Sequence, residues 1–194
     1  MKKSRLESFS DGVIAIIITI MVLEIYVPKT ASWDAFLILL PTLLGYALSF
    51  VFVGIYWNNH HHLLHTADKV TASIMWANHN LLFWLSLVPF ATAWMSKTHN
   101  ETFSVVVYAV LLLICGASYD LLRLVIMKSL SASNPMKAIL QRYNLKGMIS
   151  LGSYGLAIPV AYWNIYLSMC LFVFVAIVWL IPSKAIEKGL EQLG

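Results

Sequence analysis

The sequence predicts an all-α membrane protein with six transmembrane helices and no separate soluble domain. Hydrophobic residues make up 60% of the 194 positions and charged residues only 11%, whereas about a quarter of an ordinary soluble domain is charged. Apolar runs recur along the whole chain, and a helix of about 20 such residues crosses a bilayer. Lysine and arginine are also unevenly divided among the segments between these runs. We therefore expect residues 1–194 to form one transmembrane domain.

Turn-forming or charged residues separate the expected helices. Pro28 follows the first helix, and Asn164 marks a tight turn between the last two. Three prolines lie inside expected helices: Pro41, Pro89 and Pro159. Membrane helices tolerate proline but often kink there. The expected helices are 6–27, 35–64 with an apolar part that ends at residue 57, 72–95, 103–126, 147–163 and 165–181.

The positive charges predict the orientation of the chain. Ten lysines and arginines lie at the two termini and in the segments after the second and fourth helices: Lys2, Lys3, Arg5, Lys69, Lys128, Lys137, Arg142, Lys146, Lys184 and Lys188. The other loops contain only Lys29 and Lys97. Because short cytoplasmic loops carry the excess of lysine and arginine, we expect both termini to be cytoplasmic. The net charge is +4, but the basic residues form no stripe with interleaved aromatic residues. A nucleic-acid partner is therefore not expected.

One face of the first helix is apolar from Ile16 to Leu23, except for the Thr19 hydroxyl. At about 100° per residue, several positions fall within about 60° of one line: Arg5, Phe9, Gly12, Ile16, Thr19, Ile20, Leu23 and Val27. The wholly apolar part, from Val13 to Leu23, is short for a helix that faces lipid. Screening of the first helix from lipid by neighbouring helices would explain this short apolar part. Ordinary packing or lipid contact is the simpler explanation of the stripe, because isoleucine runs are common in membrane helices.

Polar residues from three helices are expected at a similar depth near the cytoplasmic side. Ser10 and Asp11 lie on the first helix, away from the apolar stripe. A carboxylate within or beside a membrane needs partners. We therefore expect Ser10 and Asp11 to form hydrogen bonds with some of the polar groups that end the second helix and begin the third. The candidate partners are Trp57, Asn58, His61, His62 and His79.

The histidines of this region allow several interpretations. His61 and His65 are four residues apart on one helix face, so they could contribute to a metal site that has further ligands. A haem would need a second axial histidine from another helix, for which His79 is a candidate. A role in pH sensing also stays open. We favour a hydrogen-bonded cluster without metal or cofactor, because no further ligand pattern accompanies the pair. No catalytic motif occurs, so an enzyme is not expected.

A signature of the form RxxxFSDG opens the first expected helix. It resembles the signature of the lysosomal potassium channel family called transmembrane protein 175, and especially its single-repeat bacterial relatives. The matching residues are Arg5, Phe9, Ser10, Asp11 and Gly12. A Trp-x-x-His-His pattern at the end of the second helix, formed by Trp57, His60 and His61, extends the match.

The resemblance implies a potassium-permeable cation channel without a TVGYG filter. The bacterial members of this family look like homotetramers of six-helix subunits, in which the first helix of each subunit lines a central pore. The hydrophobic constriction would fall on Ile16, with Thr19, Ile20 and Leu23 following on the same face. The signature's polar residues would join an interhelix network that includes Arg5, Phe9, Ser10, Asp11, Trp57, His61 and His79. Potassium would be the permeating ion, and the chain would reside in the cell membrane, the inner one in a bacterium.

Three other functions compete with a channel. A small secondary transporter could use Asp11, His79 and Glu24 to move a proton or a coupled ion, although no inverted repeat is evident. A haem- or metal-dependent membrane enzyme and a non-catalytic assembly subunit are the others. Glu24 itself has two possible roles, because it could attract cations by its field or form a structural pair.

Overall fold

The computed structural model describes residues 2–131, 134, 136–142 and 144–181, and it is built from α-helices joined by short turns. No strand occurs in those ranges. Lys184 and Lys188, which were counted with the positive charges, lie outside them. The helices are α1 (Lys3–Leu23), α2 (Trp33–His65), α3 (Ala72–Ser86), α4 (Val88–Lys97), α5 (Thr102–Ser129), α6 (Met136–Arg142), α7 (Asn144–Trp163) and α8 (Ile165–Leu180).

Polar side chains cap the helices that begin after turns. The Ser32 hydroxyl accepts a hydrogen bond from the Ala35 amide at 3.2 Å, and α2 begins there. Asn164 caps α8 in the same way through the amide of Leu167, at 3.1 Å. Each cap satisfies an amide that lacks a partner in the first helical turn. Asn164 therefore forms the expected turn and also starts the last helix.

The first helix ends earlier than the sequence indicates. The apolar run continues to Val27, but α1 ends at Leu23 and Glu24 is its C-cap. Because the residue before a proline avoids the helical region, Pro28 excludes a helix that runs up to it, and the chain leaves the helix about one turn earlier. The apolar run therefore places the end of this helix four residues too late, at residue 27 instead of residue 23.

The third predicted helix is divided at its proline. Only Leu87 separates α3 from α4, and its backbone angles (φ −88°, ψ −9°) nearly continue the helix. Pro89 lies in the first turn of α4, where its missing amide costs no hydrogen bond. The two helices form one kinked rod that covers the predicted 72–95. Pro41 and Pro159, in contrast, lie within the uninterrupted α2 and α7.

With α3 and α4 counted as one rod and the short α6 as a connection, the described chain contains six long helical elements. Three helices are long and apolar enough to cross a membrane by length and composition: α1, α2 and α5. Helix α8 is shorter and also apolar. The all-helical class predicted from the sequence is confirmed.

The packing of α1 matters most for function. Helix α1 contacts α2, α3 and α4, while α5 forms the centre of the other half with α7, α3 and α4. The residues that α1 buries are Leu6, Ser10, Ile14, Ile17 and Met21. These positions recur every three or four residues, so they form one stripe along the helix. The neighbours within the chain bury this stripe and partly cover Val13 and Ile18 beside it.

Candidate functional site

The face of α1 opposite its buried stripe is uncovered in the single chain. The Ile16 side chain is 57% exposed and Leu23 is 80% exposed, whereas Ile14 and Ile17 are buried. Ile20 and Thr19 lie on the exposed side as well. The four residues expected to form a constriction therefore share one uncovered face. No other part of the described chain buries them.

Thr19 is the polar member of this exposed face. Its hydroxyl donates a hydrogen bond to the Ile16 carbonyl oxygen, one turn earlier, at 2.9 Å. The hydroxyl proton is therefore directed at the helix backbone. The oxygen keeps its acceptor lone pairs, which stay available to a further donor or to a cation.

A buried chain of hydrogen bonds joins α1, α3 and α2 near the start of α1. The amide nitrogen of Asn78 donates to the Ser10 hydroxyl at 3.0 Å, and the amide oxygen of Asn78 lies 2.6 Å from Nε2 of His60. All three residues are buried. Because the Asn78 oxygen can only accept, the network assigns a proton to Nε2 of His60. This assignment follows from the hydrogen-bond pattern.

Asp11 contacts the second helix directly. The indole nitrogen of Trp57 donates a hydrogen bond to Oδ1 of Asp11 at 2.9 Å. A carboxylate near the membrane therefore has a donor from a neighbouring helix, which lowers the cost of removing it from water. Ser10 and Asp11 thus attach α1 to two different helices, at adjacent positions of the signature.

The remaining signature residues lie nearer the surface. Phe9 is half exposed and stacks on the ring of His79, with ring centroids 5.5 Å apart. His79 donates from Nδ1 to the Met75 carbonyl oxygen at 2.7 Å. Arg5 is exposed. The structure therefore places His79 against Phe9 and its own helix, and no hydrogen bond within the described chain links it to Asp11 or Ser10.

The sequence predicted His61 as a member of the interhelix network, but the structure buries the neighbouring His60 instead. His61 is exposed and its ring lies beside those of Trp57 and His65, both with centroids 6.4 Å away. His60 and Asn78 were missing from the expected partners of Ser10. The helical period indicates that His60 is buried, because it lies three and four residues before the buried Leu63 and Leu64.

Glu24 pairs with α4. Its carboxylate lies 2.9 Å from the ammonium group of Lys97, and both side chains are well exposed. The pair joins the end of α1 to the end of α4 beside an open groove lined by Ile20, Pro89, Phe90 and Trp94. Of the two roles considered for Glu24, the single chain shows the structural pair.

The described part of the structure shows no set of ligands for a metal ion. Within the part of the chain that is described, no group of three or more His, Cys, Asp or Glu residues is arranged to hold a metal ion. His61 and His65 stack with centroids 6.4 Å apart without a third candidate ligand. The histidine region is therefore a set of ring contacts and hydrogen bonds.

These observations define the class of the protein. It is an all-helical membrane protein whose first helix is packed on one face against the rest of the chain and left uncovered on the other. Polar groups of α2 and α3 hold the signature end of this helix. Comparisons with known proteins identify the family within this class.

Residues 5–89 match the family model described as the endosomal/lysosomal potassium channel TMEM175. A potassium channel from Chryseobacterium sp. (strain P1-3) is 45% identical over 192 residues, which cover 99% of this chain and 100% of the relative. A potassium channel from Streptomyces collinus is 36% identical over 104 residues, 52% of this chain and 50% of that relative.

A solved structure supports the same assignment. The crystal structure of a lysosomal potassium-selective channel TMEM175 homolog from Chamaesiphon minutus matches with a TM-score of 0.83 and 25% identity, over 92% of this chain and 96% of that one. This protein belongs to the TMEM175 potassium channel family. The family resemblance drawn from the signature is confirmed, and the family is one of ion channels and not of enzymes.

Proposed function

We propose that this protein is a potassium-permeable cation channel in which α1 lines the pore and Ile16 forms a hydrophobic constriction. The observation that carries the proposal is the division of α1 into a face covered by its own subunit and an equally apolar face that is not. Membership in a potassium channel family supplies the ion. The constriction and the pore-lining face are the parts that the proposal adds.

A pore of this kind requires several copies of the chain. One helix offers a single wall and cannot enclose a water-filled path. Closed cyclic symmetry brings the same face of each subunit to one axis. We assign a homotetramer, in which four copies of α1 surround the path and the covered face of each, with Ile14 and Ile17, points into its own subunit.

The chemistry of the exposed face suits a gate followed by a weak cation site. A ring of isoleucine side chains at Ile16 blocks ions by excluding water when it is narrow. The Thr19 oxygens, one turn further along the helix, are acceptors for a partly hydrated cation. The sequence contains no TVGYG motif, so this mechanism does not use a filter of aligned backbone carbonyls.

The polar contacts at the start of α1 hold the pore helix in register. Ser10 is bonded to α3 through Asn78, and Asp11 is bonded to α2 through Trp57. A helix held at two adjacent positions has a defined rotation about its axis. Rotation decides whether Ile16 or Ile17 faces the path, so the signature acts as the positioning element of the pore.

We assign the protein to the cell membrane, the inner membrane where the cell has two, with both termini in the cytoplasm. The distribution of lysine and arginine supports this orientation. The signature and its polar contacts then lie at the cytoplasmic side, and the Glu24–Lys97 pair lies at the opposite side.

Reconstitution in liposomes with a potassium gradient tests the proposal. The native protein should conduct potassium, and Ile16→Asn should increase the flux or relax selectivity, because a polar ring holds water. Ile38→Asn is the matched control, since Ile38 of α2 is exposed to a similar extent, 61%. Failure of both the native protein and Ile16→Asn to conduct would reject the channel. Saturable flux that needs a gradient of a second solute would favour a transporter instead.

A further inference from the structure

A single residue, Asn164, joins the last two helices, α7 and α8, into a hairpin. Its backbone amide donates to the Val160 carbonyl oxygen at 2.8 Å, and its side chain caps α8. The buried hydroxyl of Ser168 donates to the Ala157 carbonyl oxygen at 3.0 Å and ties the two helices together beside the turn. Hydrogen bonds therefore hold the backbone of the turn from both helices.

Three large aromatic residues surround this turn and are almost uncovered. Tyr162 is 70% exposed, Trp163 is 82% exposed and Tyr166 is 80% exposed. Within the described residues, none of the three makes a side-chain hydrogen bond or a ring contact. Phe172 of the same hairpin is, in contrast, fully buried against Tyr108. We call Tyr162, Trp163 and Tyr166 the tip cluster, and the described chain offers it no partner.

The chemistry of the tip cluster distinguishes among the environments that could cover it. Each member combines a large apolar ring with one polar group, a phenol hydroxyl or an indole N–H. In hydrocarbon these polar groups would lose their hydrogen-bond partners, and in water the rings would stay hydrated at a cost proportional to their apolar area. The headgroup region of a bilayer satisfies both parts of the side chain, which is why Trp and Tyr are enriched there.

Helix α8 limits how far the tip cluster can lie from the hydrocarbon. Its 16 residues include no charged side chain, and its only serine, Ser168, is buried. Its length is about 24 Å, whereas the hydrocarbon core of a bilayer is about 30 Å thick. A helix of this length cannot carry its first turn far beyond the interface. The exposed positions of α8 after Tyr166 are suited to lipid, being Leu167, Cys170, Val173, Phe174, Ile177 and Leu180.

The hairpin belongs to the half of the subunit that is built around α5. Helix α7 packs on α5, and α8 packs on α7, α2 and α5, whereas α1 packs on α2, α3 and α4. In the proposed assembly, α1 surrounds the axis, so the half with the hairpin lies toward the periphery. Lipid is the partner that a peripheral apolar surface meets.

We propose that the tip cluster binds the headgroup region of the bilayer and anchors the α7–α8 hairpin at the outer surface of the membrane. The ester and phosphate oxygens of phospholipids accept hydrogen bonds from the two tyrosine hydroxyls and the indole N–H. The rings lie against the first carbons of the acyl chains. The choice of the outer surface rests on the proposed orientation of the chain, whereas the depth of the tip cluster can be measured without it.

Fluorine NMR of protein with fluorinated tryptophan, held in lipid nanodiscs, measures this depth. The Trp163 signal is assigned by its absence in Trp163→Phe. A lipid spin label next to the headgroup should broaden it more than a label at the end of the acyl chain or a paramagnetic chelate in water. Phe174→Trp is the matched control, because Phe174 is 48% exposed and lies about 14 Å from the start of α8. Its indole should be broadened most by the label at the chain end.

The other outcomes for Trp163 would each overturn the anchor. Strongest broadening by the chain-end label would place the ring in hydrocarbon, and broadening by the chelate alone would place it in water. Protection from all three probes would show that a protein partner covers the turn.

Lysine substitutions give a second readout, because an ammonium group is tolerated among headgroups and is costly in the middle of the bilayer. Trp163→Lys should yield nearly the native amount of folded protein in the membrane, and Phe174→Lys should yield severalfold less. Equal losses would overturn the anchor. The side is tested separately with Trp163→Cys in a chain without Cys115 and Cys170, labelled in intact cells by a membrane-impermeant maleimide. Labelling only after the cells are opened would reverse the proposed orientation and leave the depth result standing.

Discussion

The two faces of α1 have similar chemistry and opposite surroundings. Ile14, Ile17 and Met21 are buried by α2, α3 and α4, while Ile16 and Ile20 are exposed. Composition cannot explain the difference, because isoleucine dominates both sides. The difference arises from where the polar contacts are, since Ser10 lies on the buried side and is bonded to Asn78.

The comparison shows which residues carry information in a membrane helix. Apolar side chains tolerate lipid as well as protein, so they do not choose a face. Polar side chains do choose, because an unsatisfied polar group in the membrane is costly. Ser10 and Asp11 select the covered side of α1 and leave Ile16 and Thr19 on the other. Ser10 and Asp11 thereby determine the pore face that we propose without belonging to it.

Substitutions on the two faces should differ most in stability. Ile14→Asn places an amide in a fully buried position and removes packing, so we expect a loss of about 3–5 kcal/mol or failure to fold. Ile16→Asn should change stability by less than about 1 kcal/mol, because its side chain meets no subunit core. Thermal unfolding in detergent measures both. Equal losses at the two positions would show that intrasubunit packing does not distinguish the faces.

Removing the donor to Asp11 should have the next largest effect. Trp57→Phe keeps the ring but leaves the carboxylate without its indole partner, and we expect a loss of about 1–2 kcal/mol and reduced potassium flux. Trp33→Phe is the control, because Trp33 is an exposed tryptophan at the start of the same helix. If the two substitutions have the same effect on unfolding temperature and flux, the Asp11–Trp57 bond does not position α1.

The hydroxyl on the exposed face should affect conduction more than stability. Thr19→Val removes the oxygen but keeps the shape, so potassium flux should fall severalfold while the unfolding temperature changes little. Thr19→Ser retains the hydroxyl and should conduct nearly as well as the native protein. Flux and unfolding measured on the same preparations separate the two effects. Normal flux in Thr19→Val would remove the weak cation site from the proposed mechanism.

The smallest effect is expected at the far end of α1. The Glu24–Lys97 pair is exposed on both sides, and such pairs contribute about 0–1 kcal/mol. Lys97→Gln should therefore lower stability by no more than about 0.5 kcal/mol, and high salt should remove the difference from the native protein. A larger, salt-independent loss would mean that the pair is shielded in the assembled protein.

The sequence predicts much of this architecture because hydrophobic length, proline and lysine are local signals. The division at Pro89 and the cap at Asn164 belong to this group. Local signals do not show whether His60 or His61 is the buried histidine, because that depends on how α2 is rotated against α1 and α3. The Lys97 partner of Glu24 also depends on three-dimensional packing.

The central claim is that the exposed face of α1 borders the ion path, and cysteine accessibility tests it most directly. Ile16→Cys and Ile17→Cys are compared in a chain whose own thiols are removed by Cys115→Ala and Cys170→Ser. Silver ions should block potassium flux through Ile16→Cys and leave Ile17→Cys conducting, since only the first thiol faces the path. Block of Ile17→Cys with an unaffected Ile16→Cys would contradict the account.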